Sequence, residues 1–206
     1  TELLSPAGNL KTLKVAVQNG ADAIYMAGKK FGARAFSENF NDDEIIEAIN
    51  YCHLYGVKFY VTMNTLVKDA EVPYFLGQIE FLYKQGVDAV IMQDFGMISY
   101  VLKRYPNLEV HASTQCNNSS YDMVKLFYDM GVKRVVFSRE LSLEEIESIN
   151  VPVEKEVFIH GALCISYSGC CLMSSMIGGR SGNRGECAGS CRLPYQLYYD
   201  EQKLVD

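Results

Sequence analysis

The hydrophobic positions of the chain follow one repeated pattern through its first 150 residues. Each repeat has a glycine, a short polar step, four to six apolar residues, and then a polar or small residue. The four repeats are "NGADAIYMAG" (19–28), "YGVKFYVTMN" (55–64), "QGVDAVIMQD" (85–94) and "MGVKRVVFSR" (130–139). The apolar runs have the length and the Val, Ile and Tyr content of buried strands. Each glycine suits the residue that follows a helix, where a positive φ is favoured.

Helical patterns lie between these runs. The sequence predicts helices over 9–18, 41–55, 72–85, 95–105, 119–130 and 142–149, and further strands over 2–7, 108–114 and 154–161. Asn41 and Ser142 stand at N-cap positions, each followed by acidic residues that suit the first turn of a helix. Seven evenly spaced strands, each leading into a helix or loop crossover, predict a parallel sheet.

The regular spacing favours a (β/α)8 TIM-barrel-like fold of the α/β class over an open doubly wound sheet, because no G-x-G-x-x-G follows the first strand. Only seven strands precede the cysteine-rich segment, and "LPYQLYYDEQKLVD" after it alternates like a β-hairpin. We therefore expect an incomplete barrel of about seven βα units in a fragment of a longer protein. The expected divisions are βα units over 1–161, a Cys/Gly/Arg-rich metal-binding loop over 162–192, and the start of a hairpin over 193–206.

Composition narrows the class of protein. With 49% hydrophobic and 21% charged residues in 206, the chain resembles an ordinary soluble globular protein. The net charge of −6 restricts any binding of a polyanion to a local basic patch. The sequence contains neither a long apolar run nor a charged-then-apolar leader, so we expect no membrane segment and a cytoplasmic location. Seven cysteines, two of them adjacent, do not match a secreted disulfide scaffold and leave thiols free for a metal.

Polar residues gather where the predicted strands end. In a TIM barrel the carboxyl ends of the strands form the working face. Asn64, His111, Arg139 and His160 fall at such ends. Any one of them could simply meet solvent or cap a helix. However, two of the three histidines lie there, which favours a site, whereas His53 lies mid-helix and reads as a surface or packing residue.

Four cysteines are spaced C-x6-C-x15-C-x3-C in a glycine-rich loop: Cys164, Cys171, Cys187 and Cys191. Thiolates are soft ligands that select zinc, copper(I) or iron–sulfur clusters. Structural zinc sites use paired C-x2–4-C knuckles, and only the last two cysteines approach that spacing. The spacing leaves zinc and iron–sulfur both open, with buried or disulfide-bonded cysteines as a third interpretation. Cys52 and Cys116 read as packing residues.

Other chemistries have less support in the sequence. A single nucleophilic cysteine paired with His160 would not need four companion cysteines. The chain has no G-x-S-x-G and no H-E-x-x-H motif. Arg180, Arg184 and Arg192 give the cysteine-rich loop the only clear local positive excess. Guanidinium groups in such a loop are either ordinary surface residues or contacts to phosphates or carboxylates.

The stretch "EVFIHGALCISYSGCCLMS" resembles the signature of the peptidase U32 family, also called collagenase-like proteases. The matching residues are Glu156, Phe158, Gly161, Ala162, Leu163, Cys164, Gly169, Cys171, Met173 and Ser174. The stretches "GGRSGNRGECAGSCRLPY" and "ELLSPAGNLKTLKVAVQNGADAIYMAG" resemble the same family. The resemblance therefore covers essentially the whole chain.

The resemblance implies an activity other than the one in the family's name. Better-understood members are iron–sulfur proteins that support oxygen-independent hydroxylation of tRNA or ribosomal RNA pyrimidines, or of a ubiquinone precursor. The RNA-hydroxylating members are associated with prephenate as a required metabolite. Their cluster cysteines correspond to Cys164, Cys171 and Cys187. In some relatives the fourth ligand lies well downstream of the position of Cys191, so the fourth ligand stays open.

These observations combine into one hypothesis with two rivals. A [4Fe–4S] cluster would lie over the barrel mouth on the four spaced cysteines, and the three loop arginines would contact RNA phosphate. The candidate catalytic and pocket-lining residues are His160, His111, Asn64, Arg139 and Glu156. A small anionic metabolite such as prephenate is the expected co-ligand. The rivals are a U32 peptidase and a zinc-stabilised binding module without catalysis.

Overall fold

A computed structural model describes residues 1–33, 38–161 and 163–204 of the chain. Seven parallel strands pair in chain order and curl into an open half-barrel, with β1 and β7 as its two edges. The strands are β1 (Leu4–Pro6), β2 (Ala23–Ala27), β3 (Lys58–Met63), β4 (Ala89–Met92), β5 (Glu109–Ala112), β6 (Arg134–Val136) and β7 (Glu154–Glu156). The incomplete barrel predicted from the sequence is therefore confirmed.

Six helices alternate with these strands: α1 (Leu10–Gln18), α2 (Asp42–Leu54), α3 (Val72–Gln85), α4 (Phe95–Arg104), α5 (Tyr121–Met130) and α6 (Leu143–Ser148). Both predicted N-caps are confirmed, since the side chains of Asn41 and Ser142 accept from the third backbone N–H of their helices. The glycines of the four repeats, at positions 20, 56, 86 and 131, all have positive φ. The repeated pattern thus encodes a helix end followed by a buried strand.

The segment after β7 differs from the prediction. The strand stops at Glu156, five residues before its predicted end. A short helix that the sequence did not predict, α7 (Met173–Gly178), lies inside the cysteine-rich loop. The predicted hairpin is present as β8 (Tyr198–Tyr199) and β9 (Gln202–Lys203). Ala162, the first residue of the predicted loop, and the last two residues of the hairpin segment, 205–206, lie outside the described residues.

Two hydrophobic layers hold the half-barrel together. The larger layer packs the outward side chains of the strands against the helices, with Phe59, Phe75 and Phe127 fully buried in it. The smaller layer lies inside the curl, where Tyr60 and Ile91 pack with small residues of neighbouring strands. Within the described ranges, no helix is long and apolar enough to cross a membrane.

Arg134 on β6 connects the two edges of the sheet. Its Nη1 donates to Glu2 Oε1, just before β1, at 2.6 Å, and to Glu156 Oε2 on β7 at 3.4 Å. Its Nη2 donates to Glu154 Oε2 at 2.7 Å. The Arg134 side chain is only 9% exposed, and Tyr60 donates its hydroxyl to Glu2 at 3.0 Å. One guanidinium therefore contacts three carboxylates and ties Glu2, just ahead of the first strand, to the last two strands.

We expect Arg134→Leu to lower the free energy of unfolding by about 3 kcal/mol, because it takes a cation from Glu2 and Glu154 and leaves Glu156 without its ion-pair partner at a partly buried site. Lys133→Leu is the matched control, since Lys133 pairs with Glu154 from a 49% exposed position. Such an exposed pair contributes about 0–1 kcal/mol. Urea unfolding of both variants measures the difference. Equal losses would show that the cluster does not hold the sheet edges together.

Candidate functional site

Neutral polar side chains line the ends of three adjacent strands. Asn64, after β3, donates from Nδ2 to the hydroxyl of Ser113, after β5, at 3.2 Å. Asn64 Oδ1 accepts from the backbone N–H of Ala33 at 3.0 Å. Gln93, after β4, donates from Nε2 to the carbonyl of Gln115 at 3.1 Å. The mouth of the half-barrel is thus built from amides and hydroxyls, and Asn64 lies in it as the sequence predicted.

His111 lies deeper than its position near a strand end suggested. Its ring is fully buried inside the curl of the sheet and meets the Tyr60 ring edge-on, with centroids 4.9 Å apart. Burial lowers the pKa of the imidazole, and Glu109, 3.7 Å away, only partly opposes this. The structure therefore places His111 within the packed interior and not at the open mouth.

Glu156 and His160 also occupy positions that differ from the predicted pocket. Glu156 belongs to the Arg134 cluster, and burial raises the pKa of its carboxyl while Arg134 opposes that shift. His160 lies four residues beyond the end of β7 and has an exposed side chain. Among the predicted catalytic residues, the structure brings Asn64 and Arg139 to the mouth region. It does not gather all five around one point.

The cysteine loop, defined here as residues 163–192, returns to the barrel mouth at Ser168. The Ser168 backbone N–H donates to Glu140 Oε1 at 2.7 Å, and Arg139 donates from Nη2 to the Ser168 hydroxyl at 3.0 Å. Gly169, with φ +75°, lies against the carbonyl of Gln115 so closely that an added Cβ would be 2.0 Å from the oxygen. Only glycine fits this approach. The loop is therefore docked onto the segments that follow β5 and β6.

A second contact ties the far part of the loop to the other side of the mouth. Arg184 donates to the Leu66 carbonyl at 2.7 Å and forms a bidentate pair with Glu71, at 2.7 and 3.1 Å. This pairing lowers the pKa of Glu71 to about 2. Glu71 and Leu66 lie in the connection between β3 and α3. The guanidinium predicted to contact RNA is therefore engaged by a carboxylate of the same chain.

The thiols of the loop lie in polar, partly open surroundings. Cys187 Sγ accepts from the Gly189 N–H at 3.4 Å and lies 3.9 Å from the Ser174 hydroxyl at the start of α7. Gly182 lies between Cys187 and the backbone carbonyl of Cys171. A Cβ added at Gly182 would lie 3.8 Å from the Cβ of Cys187 and 3.9 Å from the carbonyl oxygen of Cys171. The segments that carry Cys171 and Cys187 are therefore neighbours.

Two arginines act on the thiol of Cys164. Partial burial would raise its pKa, but hydrogen bonds from the Ser166 backbone and from Arg139, together with the charge of Arg192, bring the pKa below its usual value. Arg192 also donates to the Leu163 carbonyl at 3.4 Å. These cations favour the thiolate form that metals bind.

The cysteines outside the loop behave as the sequence predicted. Cys52 and Cys116 are buried, and burial raises the pKa of each thiol to about 12. All seven cysteines, which fall inside the described ranges, are free thiols. Within residues 1–33, 38–161 and 163–204, no three His, Cys, Asp or Glu side chains converge closely enough to hold a metal ion. The loop brings ligand-bearing segments together without a preformed metal centre.

Sequence reasoning missed the residues that build this arrangement. Ser168 docks the loop, Glu71 binds its far side, and Arg134 connects the sheet edges. The sequence did contain a signal for Ser168. A Ser-Gly pair stands directly before two cysteines, and a glycine at such a place permits close backbone approach. The other contacts join residues far apart in the sequence and left no local signal.

The arrangement is that of an α/β half-barrel with a thiol-bearing loop docked across its mouth. The model of Peptidase family U32 matches residues 8–205, so the chain belongs to that family. It is 43% identical over 206 residues to the 23S rRNA 5-hydroxycytidine C2501 synthase of Escherichia coli (strain K12), covering 99% of this chain and 31% of the relative. It is 42% identical over 199 residues to tRNA hydroxylation protein P of the same organism. That match covers 95% of this chain and 44% of the relative.

A solved structure supports the fold assignment. The U32 peptidase Mk0906 superposes with a TM-score of 0.67 at 18% identity, covering 76% of this chain and 68% of that one. This chain spans less than half the length of the two curated relatives. At this level of identity the structural likeness concerns the fold alone.

We expect Gly169→Ala to undock the cysteine loop, because the new methyl would clash with the Gln115 carbonyl and the backbone would be strained at positive φ. Trypsin cleavage after the arginines of the loop should then become about tenfold faster or more. Gly178→Ala is the control, since Gly178 has open space around it and no positive φ. Unchanged cleavage in the Gly169 variant would contradict the docking.

Proposed function

We propose that this chain is part of a protein that hydroxylates a pyrimidine of tRNA or ribosomal RNA. The observation that carries the proposal is the 42–43% identity to two RNA-hydroxylation proteins over 95–99% of the chain. That match includes the barrel mouth and the cysteine loop together. The expectation of an oxygen-independent, prephenate-linked reaction comes from the family resemblance and belongs to this proposal.

The mouth chemistry is compatible with a nucleobase substrate. Asn64, Gln93 and Ser113 carry amide and hydroxyl groups, which are of the kind that hydrogen-bonds to base edges. To bind a base they would have to exchange their present bonds within the chain for bonds to the base. Arg180 and Arg192 are the loop arginines that we assign to RNA phosphate or to a small carboxylate ligand. Arg184 stabilises the loop through Glu71, and that carboxylate offsets its positive charge.

For the cofactor, we propose a [4Fe–4S] cluster held by Cys164, Cys171 and Cys187, with Cys191 as the fourth ligand. Thiolate donors suit such a cluster. The lowered pKa of Cys164 and the N–H donated to the Cys187 sulfur are features that stabilise ligated sulfur. Since the described thiols do not converge in a group of three, binding would close the loop further. A bound cluster would supply electron transfer at the mouth.

A peptidase of this family would need a nucleophile or a catalytic metal. The buried thiols Cys52 and Cys116 have pKa values of about 12 and are unreactive near neutral pH. His53 pairs with Asp88 at 2.8 Å, and His111 is buried against Tyr60. In the described residues neither histidine is hydrogen-bonded to a thiol. These contacts exclude the two buried thiols and leave Cys164 as the thiol that a peptidase mechanism would need.

Protein purified without oxygen should contain about four irons and four sulfides per chain and be brown. Cys171→Ser and Cys187→Ser should lose most of this iron, because each removes a thiolate ligand. Cys52→Ser is the control, since Cys52 lies in the core away from the loop. Metal analysis and absorption spectra measure the result. One tightly bound zinc in a colourless protein would contradict the cofactor proposal.

Deletion of the whole gene should remove one hydroxylated pyrimidine nucleoside from total RNA, measured by liquid chromatography and mass spectrometry. The wild-type gene should restore it, whereas the Cys187→Ser gene should not. Unchanged hydroxylated nucleosides in the deletion strain, together with iron-independent peptide cleavage by the purified protein, would favour the peptidase instead.

A further inference from the structure

Ser168 stands out within the cysteine loop because of its burial. It is 0% exposed, whereas Ile165 and Tyr167 beside it are 87% and 69% exposed. A small polar side chain is thus fully enclosed while larger apolar neighbours face solvent, the reverse of the usual distribution. A buried hydroxyl must be hydrogen-bonded, so the partners of Ser168 explain its position.

Two oppositely charged residues of the segment after β6 enclose this hydroxyl. The guanidinium of Arg139 donates to Ser168 Oγ from Nε at 3.3 Å and from Nη2 at 3.0 Å. The hydroxyl lies 3.2 and 3.3 Å from the two carboxylate oxygens of Glu140, and the Ser168 N–H donates to the same carboxylate at 2.7 Å. Contacts of this kind to charged groups are stronger than those between neutral groups.

The docked segment lies between two of the four spaced cysteines. Ser168 follows Cys164 by four residues and precedes Cys171 by three. Cys170 lies two residues after it, 3.9 Å from Nδ2 of Asn117 at the barrel mouth. Arg139 and Glu140 therefore hold the segment that joins two candidate ligands, Cys164 and Cys171.

We propose that Arg139, Ser168 and Glu140 form a latch that holds the cysteine loop on the barrel mouth and thereby positions its thiols for metal binding. The latch is defined by contacts within the chain. Only the identity of the bound metal rests on the proposed function. The three residues act through the loop and are positioning residues.

Hydrogen exchange at the Ser168 amide tests the latch directly, because that N–H is bonded to Glu140. In Glu140→Gln and Ser168→Ala, exchange in the 165–170 region should become about 10- to 100-fold faster, the effect of losing a hydrogen bond to a charged group. The controls are Glu147→Gln, an exposed residue of α6, and Ser166→Ala, which lies in the same loop. Both should exchange like the wild type.

Cluster retention supplies the second measurement. After anaerobic reconstitution with ferrous iron and sulfide, the latch variants should lose bound iron to a chelator at least about tenfold faster than the controls. Unchanged exchange in both latch variants would overturn the latch, whatever metal is bound. Faster exchange with unchanged iron loss would overturn the positioning role.

The two proposals fail in different ways. If the wild type binds zinc and no cluster, the cofactor proposal fails. The rate of zinc loss to a chelator, compared between the latch variants and the controls, then decides whether the latch positions the thiols. Urea unfolding of each variant shows whether the fold is intact. Glu140→Gln keeps the size of the side chain, so it gives the decisive result if Ser168→Ala unfolds.

Discussion

The docking of Ser168 and Gly169 onto the segments that follow β5 and β6 determines where the cysteine loop lies. The carboxyl ends of parallel strands all lie at the same end of the sheet, and the segments that follow the strands begin there. A loop that binds two of these segments therefore lies over the barrel mouth. Gly169 permits the approach, and Arg139 and Glu140 enclose the hydroxyl of its neighbour. Arg184 then holds the far part of the loop beside β3. Thiols and mouth are thereby combined in one site.

This site depends on a sheet whose edges are open. The Arg134 cluster ties Glu2, ahead of β1, to β6 and β7, so the last strands keep their place relative to the first. The residues that follow β7 lead directly into the cysteine loop. Electrostatic contacts within the half-barrel therefore support the geometry of the loop.

Much of the fold could be predicted from the sequence, because its determinants are local. A glycine with positive φ, an apolar run and an N-cap such as Asn41 act within a few residues, and their structures agree with the prediction. The site was harder, since it depends on side-chain direction and distant contacts. His111 is near a strand end yet faces the packed interior, and Arg184 finds Glu71 more than one hundred residues away. Helix α7 has only six residues and ends at a pair of glycines, so its apolar positions extend over too short a stretch to predict a helix.

We propose that the cysteine loop carries an iron–sulfur cluster and is latched across the mouth of the half-barrel. A crystal structure of protein prepared without oxygen, with anomalous data collected at the iron edge, tests it most directly. We predict an iron–sulfur cluster bonded to Cys164, Cys171 and Cys187, with Ser168 still enclosed by Arg139 and Glu140. An iron-free loop holding zinc, or a cluster on a loop whose Ser168 has left Glu140, would contradict the account.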